Sequence, residues 1–415
     1  MIKFICSPGI GHLDNVLPLI DLLKNKNKAE CSIFFTKKSM IPQLINNPTL
    51  LKLNNKYFNK KYLIINNKTI LFSEVKKFNN FLKNKTLVIF FFYFLIPLNI
   101  SFLTNLILRY FNFQILDLKN LFKKKDIIIY DPFENNKNYF SKIKILIEMN
   151  FKLGIRHGLG NDYLSSNEKS ININNLIYLS HSKKQTLYVK KKFNLNKNKI
   201  INSGILKYSN YWKKKILNYS KKRFFNKKGI YVYVISRHDT NYFNWKKRKK
   251  LIKILKKILI DDYNLKLIIK FHPKENPIIS KKIYEQILGK GNLNKTWFVL
   301  NDHSFYISAI CKFGISYVSS VALDILSFNK STIEILNLNK KRNEKKIDFS
   351  FSRNNLVYQP SNISDFKKSV KNILLRKKYT EYLIKNFKRN YYNENNNKTI
   401  KIINKIFYKY CYSLR

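Results

Sequence analysis

The chain has 415 residues, of which 45% are apolar and 15% aromatic; this content excludes a disordered polypeptide and predicts two domains with hydrophobic cores. Its formal charge of +56 is typical of proteins that bind nucleic acid or a membrane surface. Only ten of the 80 basic residues are arginine, however, and lysine cannot copy the bidentate contacts by which arginine recognises guanine and phosphate. We therefore expect no nucleic-acid partner, and part of the charge follows from the residues that A/T-rich codons specify.

The cysteines and the N-terminus contain no export signal. The four cysteines form no Cys-x-x-Cys pair, as expected of thiols in a reducing cytoplasm. The chain reaches Pro8 and Gly9 before any long apolar run develops, so no signal peptide is predicted. These features together predict a cytoplasmic protein.

The first half of the chain alternates strand and helix patterns. A buried-strand pattern over residues 2–6 ends in a glycine turn, and apolar residues then recur with helical spacing. Further strand-like runs follow at 31–35, 62–65, 126–130, 176–180 and 200–203. Runs that are apolar throughout and alternate with helices predict a parallel sheet covered on both faces.

One stretch, residues 86–108, carries no charge and is long enough to span a bilayer. A span here would place the strand at 126–130 across the membrane from residues 1–85, which would divide one sheet. We therefore predict a buried strand at 87–95 and an apolar helix from about residue 98. The helix could also lie in the membrane interface, with neighbouring lysines at anionic headgroups.

The second half repeats the strand and helix alternation. Strands are predicted at 230–235, 265–271, 297–300, 315–318 and 332–336, with helices at 246–260 and from Ala322. The predicted divisions are a first domain at 1–206, a linker at 207–228, a second domain at 229–362, and C-terminal helices at 363–415 that pack back on the first domain. The fold class is therefore α/β, with two doubly wound domains facing each other across a cleft.

Two motifs of the first domain can carry chemistry. His157 stands beside Gly158 directly after an amphipathic segment, and a loop histidine with a pKa near neutrality can take a proton from a hydroxyl. An ordinary loop histidine is the alternative interpretation. Further on, the strand at 200–203 ends in a turn at Gly204.

The second domain contains a predicted anion site. Lys270 and His272 stand at the carboxyl end of a strand, the edge where ligands bind in open parallel sheets, and Arg237 follows the first strand onto the same edge. Ser319 and Ser320 end another strand at a helix start, where hydroxyls, backbone N–H groups and the helix dipole favour a phosphate. Simple N-capping by these serines is compatible with that role.

In their order along the chain these motifs resemble the GT-B glycosyltransferases of bacterial surface polysaccharides. The similar groups are the capsular sialyltransferases and polysialyltransferases, the Kdo transferases and the CDP-glycerol glycerophosphotransferases. The motifs are Gly11-His12, His157-Gly158, Ser203-Gly204, Lys270-Phe271-His272-Pro273 and Ser319-Ser320. The resemblance covers residues 1 to about 345 and implies a GT-B-like fold of two Rossmann-like domains.

The resemblance also implies roles for the individual residues. The donor nucleotide and its phosphate would be held by His272, Lys270, Ser319, Ser320, Arg237 and Gly204. The acceptor side would include a loop with Gly9, Gly11 and His12. His157 matches the base of the glycerophosphotransferases, whereas the sialyltransferases use an Asp/Glu-Asp/Glu-Gly motif that this sequence lacks; Asp131 and Glu134 are the nearest acidic candidates.

The expected reaction is transfer of a sugar from a CMP- or CDP-linked donor to a surface polysaccharide or lipid-linked acceptor. No Asp-x-Asp motif is present, so we expect no metal and no cofactor. The alternatives are a CDP-glycerol-type polyol-phosphate transferase, a UDP-sugar 2-epimerase and a non-enzymatic basic protein that binds polyanions or membranes. In each enzymatic case we expect peripheral contact with the anionic inner face of the membrane.

Overall fold

The chain folds, in a computed structural model, into two α/β domains that are each built on their own sheet. The structure describes residues 1–415 except 8, 28, 66–67, 96–100, 124, 133–149, 157–174, 194–198, 221–228, 238–243, 274, 318, 336–337, 339–350, 392–400, 403, 406–407 and 409–415.

The first sheet has nine strands within the described residues, in the order β5-β4-β3-β2-β1-β6-β7-β8-β9. The strands are β1 (Ile2–Cys6), β2 (Cys31–Phe35), β3 (Lys60–Ile65), β4 (Lys68–Phe72), β5 (Phe113–Asp117), β6 (Ile127–Tyr130), β7 (Phe151–Ile155), β8 (Leu176–Ser180) and β9 (Ile200–Asn202). All neighbours pair in parallel except β4, which is antiparallel to both β3 and β5. β1 and β2 are buried at every residue, as expected of central parallel strands covered on both faces.

The second sheet has five parallel strands in the part of the chain that is described, in the order β12-β11-β10-β13-β14. They are β10 (Tyr231–Ile235), β11 (Lys266–Lys270), β12 (Trp297–Val299), β13 (Phe313–Ser316) and β14 (Thr332–Glu334). Strand order reverses beside β10, as it does beside β1 in the first sheet, and ligands of doubly wound folds bind at such switch points.

Helices cover both sheets. Those of the first domain are α1 (Ile10–Asn27), α2 (Met40–Ile45), α3 (Pro48–Tyr57), α4 (Val75–Lys83), α5 (Lys85–Ile89), α6 (Ser101–Phe111) and α7 (Lys183–Phe193). Later in the chain come α8 (Asn210–Ser220), α9 (Trp245–Leu255), α10 (Pro277–Leu288), α11 (Ser304–Ile310), α12 (Val321–Leu326), α13 (Ile363–Leu374) and α14 (Lys378–Tyr391). π-Helical turns occupy Phe90–Leu95 and Lys256–Asp262, and 3-10 turns occupy Leu118–Leu121, Leu206–Tyr208, Lys290–Asn292 and Phe351–Asn354.

The abundant asparagines have local structural roles. Several cap helix N-termini through their side chains; Asn276 accepts hydrogen bonds from the first N–H groups of α10, and Asn244 does so for α9. Others take the left-handed backbone conformation at turns, where asparagine is tolerated better than most residues: Asn112, Asn175, Asn264, Asn294, Asn329 and Asn355. Many of the asparagines therefore stabilise helix N-termini and turns of this fold.

The strand predicted at 87–95 is wrong, because the described residues there are helical. α5 and a π-helical turn occupy residues 85–95, and α6 follows from Ser101. A continuous apolar run has no periodicity that separates strand from helix. The deciding local signal is Asn84, whose side chain accepts the Leu87 N–H at 2.9 Å and so caps α5.

The largest hydrophobic cluster joins the two domains. It includes Leu17 of α1 and Trp212 of α8 together with Phe305 of α11 and Leu323 of α12, all fully buried. Phe387 of the C-terminal helix α14 belongs to the same cluster, and its ring lies 5.6 Å from that of Tyr208. One side of the domain boundary is therefore closed by continuous apolar packing.

No helix in the described part of the chain is long and apolar enough to cross a bilayer. Cys6, Cys31 and Cys311 are buried free thiols, and burial raises the pKa of Cys31 to about 11. Cys411 lies outside the described residues.

Candidate functional site

The carboxyl ends of the parallel strands of both sheets face each other. α1 follows β1, and α12 follows β13, so the first turns of these helices lie at the carboxyl edges of their sheets. Asp14 of α1 and Asp324 of α12 both contact the ammonium group of Lys207, at 3.0 and 2.8 Å. The region between the two edges is therefore the candidate site, since open parallel sheets bind ligands there.

Lys270 places a desolvated cation at the edge of the second sheet. It is the last residue of β11, and its Nζ donates to the carbonyl oxygen of Asp302 at 2.5 Å. Burial lowers the pKa of Lys270 to about 8, and the carboxylates of Asp14, Asp302 and Asp324 only partly offset this effect. A cation that is poorly solvated in the free protein is suited to binding an anion.

Anion binding at this edge should therefore weaken as the pH rises through about 8, because Lys270 then loses its charge. We expect the affinity for CMP, whose phosphate charge is constant in this range, to fall about 10-fold between pH 7 and pH 9.5. The measurement is isothermal titration calorimetry of the full chain at both pH values. Lys270→Met should bind weakly at both, and a wild-type profile that matches that of K270M would contradict the role of Lys270.

The His272 turn is held in place through its backbone. The His272 N–H donates to Oε2 of Glu275 at 3.1 Å, and the Glu275 N–H donates back to the His272 carbonyl at 2.8 Å. Glu275 also pairs with Arg248 at 3.2 Å and accepts from the Ser236 hydroxyl at 2.9 Å. The orientation of the half-buried His272 imidazole therefore depends on a buried glutamate.

Two further predicted groups border this edge. Ser319 accepts the N–H of Val321, the first residue of α12, at 3.4 Å, whereas Ser320, the N-cap residue, is exposed and its side chain makes no capping hydrogen bond. Arg237 Nη1 donates to the carbonyl oxygen of Tyr317 at 3.2 Å, which joins the ends of β10 and β13. Their predicted contacts with a donor nucleotide stay predictions.

A buried charge cluster links the domains. Besides the Lys207 contacts, Asp14 Oδ1 lies 2.8 Å from Nε2 of His303, which caps α11. The Tyr208 hydroxyl donates to Asp324 Oδ1 at 2.9 Å. All five side chains are buried, so each charge depends on the others for its stabilisation.

The ionisation of the cluster follows from its geometry. Burial acts to raise the pKa of Asp14, but the Lys207 charge and the hydrogen bonds from His303 and Lys207 outweigh it and hold that pKa well below its usual range. Burial acts to lower the pKa of Lys207, but Asp14 and Asp324 raise it to about 12. Asp14 and Lys207 are therefore both ionised at neutral pH.

A second group of polar side chains occupies the edge of the first sheet. Asp131 follows β6 and is fully buried, Arg156 follows β7, and His181 follows β8 with 4% of its surface exposed. Burial and then the Arg156 charge lower the pKa of His181 to about 3, although Asp131 opposes them. The imidazole is thus neutral at physiological pH. Nδ1 of His181 is buried and makes no hydrogen bond in the described part of the chain.

The predicted acceptor-side loop is only partly a loop. Gly9 lies in the loop after β1, but Gly11 and His12 lie in the first turn of α1, because its helical pattern already begins at Ile10. Nδ1 of the buried His12 accepts the Ser7 N–H at 3.3 Å. A Cβ added at Gly11 would meet nothing within 4 Å, so the described protein leaves space there.

The remaining predicted residues divide into two groups. Gly204 ends β9 of the first sheet in a left-handed conformation, with φ of 60°, and its N–H donates to Asn202 at 3.3 Å. This turn leads the chain into the segment that carries Lys207. His157 and Glu134 lie outside the described residues, so the structure does not address the choice between His157 and Asp131 as base.

Several site residues were not predicted as such from the sequence. Asp14, Lys207 and His303 come from distant segments, and nothing in their local sequence marks them as partners. For His181 a signal existed, since it follows a buried strand directly, as Asp131 does. Within the described residues no group of three or more His, Cys, Asp or Glu side chains could hold a metal ion.

No protein-family model and no curated protein sequence matches the chain. Several solved structures, however, are similar to the chain in fold. The UDP-GlcNAc 2-epimerase of Neisseria meningitidis bound to UDP-GlcNAc is similar with a TM-score of 0.57 at 12% identity, over 98% of this chain and 99% of that one. The Methanocaldococcus jannaschii UDP-GlcNAc 2-epimerase in complex with UDP-GlcNAc and UDP gives 0.53 at 14% identity, over 92% and 98%. S. aureus MnaA in a co-structure with UDP gives 0.53 at 12%, over 100% and 97%. The expected GT-B-like fold is confirmed.

Proposed function

We propose that the chain is a GT-B glycosyltransferase that moves a sugar from a CMP- or CDP-linked donor to a surface polysaccharide or lipid-linked acceptor. One observation carries the proposal: the two facing edges differ in chemistry. The edge of the second sheet presents a desolvated cation, an imidazole and serine hydroxyls, which suit a phosphate. The opposite edge carries a buried carboxylate and a neutral imidazole, which suit a hydroxyl that must lose a proton.

In this mechanism the acceptor oxygen forms a bond to the anomeric carbon while the bond from that carbon to the donor phosphate breaks. The acceptor proton passes to Asp131 or to His157, and neutral His181 orients the hydroxyl. The departing phosphate carries the new negative charge to Lys270, His272 and the two serines. Fixed protein groups that stabilise developing charge usually contribute most of the rate enhancement in such transfers, so no metal is required.

A polyol-phosphate transferase would use the same phosphate-binding edge. A CDP-glycerol-type donor is attacked at phosphorus, and the nucleotide leaves as its monophosphate. Sugar transfer breaks the bond at the anomeric carbon, whereas polyol-phosphate transfer breaks a bond at phosphorus. The two reactions use different acceptors and give different products, so analysis of the products separates them.

The second candidate is a UDP-sugar 2-epimerase, and the similarity in fold to UDP-GlcNAc 2-epimerases favours it. Such a reaction needs no acceptor but needs acid and base groups at the sugar ring. Of the two carboxylates described at the edge of the first sheet, Asp131 follows a strand and could serve as one of these groups, but Asp14 is held by Lys207 and His303 and does not supply the second. We therefore place transfer first.

The deciding experiment is a nucleotide panel on the full chain. CMP or CDP at about 100 times its dissociation constant should stabilise the fold by about 2.7 kcal/mol, while UMP should not. Calorimetric melting measures the shift, and duplex DNA serves as a polyanion control. UDP-GlcNAc is then incubated without acceptor and followed by NMR. Stabilisation by UDP alone together with formation of the C2 epimer would establish the epimerase instead, and salt-sensitive stabilisation by every polyanion would indicate a non-enzymatic basic protein.

A further inference from the structure

An exposed apolar helix face lies at the edge of the first sheet, away from the strand ends of the site. On α6, Phe102, Leu106 and Tyr110 are 74%, 54% and 76% exposed. These residues recur every four positions and fall within an arc of about 80° on the helix, so they form one stripe. The opposite side of α6, which includes Ile107 and Phe111, packs on the hydrophobic core.

The α6 stripe is larger than isolated surface residues would produce. Leu103 beside it is 40% exposed, and Ile89 of the neighbouring α5 is 52% exposed. A water-soluble helix normally turns its apolar residues inward and its charged residues outward. α6 has apolar residues on both sides, and a contiguous exposed apolar patch marks an interaction site.

The charges around the α6 stripe identify its partner. Residues 74–111 contain one acidic residue, Glu74, which pairs with Lys77 at 3.2 Å, and five basic residues; they are Lys76, Lys77, Lys83, Lys85 and Arg109. All five are exposed. Aromatic and aliphatic side chains flanked by cations are typical of helices that lie in the interface of an anionic bilayer.

A groove beside the stripe supports the same partner. It has a volume of about 630 Å³ and is lined by both apolar and polar residues of α6 and the adjoining segments; the polar ones include Lys60, Asn105, Arg109 and Gln114. Arg109 lies between the groove and the stripe on the helix surface. A lipid that inserts its chains at the stripe would thus have donors for its phosphate next to it.

We propose that the α6 stripe and its surrounding cations dock the protein on an anionic lipid bilayer, with Phe102, Leu106 and Tyr110 inserted among the headgroups. The inference does not depend on the proposed activity. Docking through the α6 stripe differs from attraction of the whole protein by its net charge, because docking requires the residues of one particular helix face.

The experiment is flotation of the full chain with vesicles of phosphatidylcholine alone or mixed with phosphatidylglycerol. We expect binding to the anionic vesicles only. Phe102→Ser/Leu106→Ser/Tyr110→Ser should weaken it at least about 10-fold, since three interfacial apolar anchors are lost. The matched control, Ile278→Ser/Ile279→Ser, removes exposed apolar residues of α10 and should bind like the wild type.

A second pair of variants separates local from total charge. Lys83→Gln/Lys85→Gln/Arg109→Gln should lose binding, whereas Lys246→Gln/Lys247→Gln/Lys250→Gln, an equal charge change on α9, should keep it. Equal losses in both would overturn the proposal in favour of general attraction. Wild-type binding by the stripe variant would overturn it too, as would a wild-type dimer that this variant converts to a monomer in sedimentation velocity.

Discussion

Lys207→Met should destabilise the fold by about 3–5 kcal/mol, because it leaves two buried carboxylates without their shared cation. Asp14 and Asp324 lie 3.0 and 2.8 Å from the ammonium group and belong to different domains, so the loss acts at the domain boundary. The free energy of unfolding at pH 7 would be measured by urea denaturation, with tryptophan fluorescence as the probe; the buried Trp212 reports on the same region.

Lys214→Met is the matched control, since Lys214 is exposed on α8 and its loss should change stability by less than about 0.5 kcal/mol. Adding Asp14→Asn and Asp324→Asn to Lys207→Met should recover part of the loss, because no uncompensated buried charge then remains. If K207M were no less stable than K214M, the cluster would have no role in holding the domains.

His272→Ala should lower kcat by about 10²–10³-fold in the proposed transfer reaction, because it removes a donor to the departing phosphate. The fold should survive, since the hydrogen bonds between His272 and Glu275 that hold the turn use backbone groups of residue 272. Turnover with a CMP- or CDP-linked donor would be measured beside the melting temperature.

Lys282→Ala, an exposed substitution on α10 of the same domain, controls for general effects of mutation. Unchanged melting with lost turnover would support a catalytic role for His272. Retention of most activity would remove His272 from the site, and loss of both activity and stability would indicate a structural role only.

Buried parallel strands such as β1 and β2 could be predicted because each is mainly apolar, with one polar residue, Lys3 or Ser32. The helical structure of the apolar run at 87–95 could not be predicted, since neither the length nor the composition of the run separates helix from strand. The local feature that favours the helix is the N-cap at Asn84. β4 and β5 were missed because such short segments gain their stability from pairing with each other. The buried parallel strand β7 was missed too, because Lys152 and Gly154 interrupt its apolar pattern.

Residues of the candidate site could be predicted only where one rule applied, namely that ligands bind at the carboxyl ends of strands in open parallel sheets. Lys270 and His272 were found because strand ends of open sheets bind ligands, whereas Asp131 was named only as the nearest acidic candidate for a motif of the similar sialyltransferases. The contacts that Lys207 makes with Asp14 and Asp324 could not be predicted. Lys207 lies 193 residues from Asp14, and the adjacent Tyr208 lies 116 residues from Asp324, so these contacts exist only once the domains pack.

The apolar cluster shared by the domains limits how the cleft can move. Pulling Phe305 and Leu323 away from α1 and α8 would expose large side chains, each worth about 1.5–3 kcal/mol of burial, and would break the buried charge cluster beside them. Rigid separation of the domains is therefore too costly to form part of a working cycle. A rotation whose axis runs along the shared cluster costs far less, so we expect any opening between the domains to turn about Phe305 and Leu323 and to be widest at the edge farthest from them.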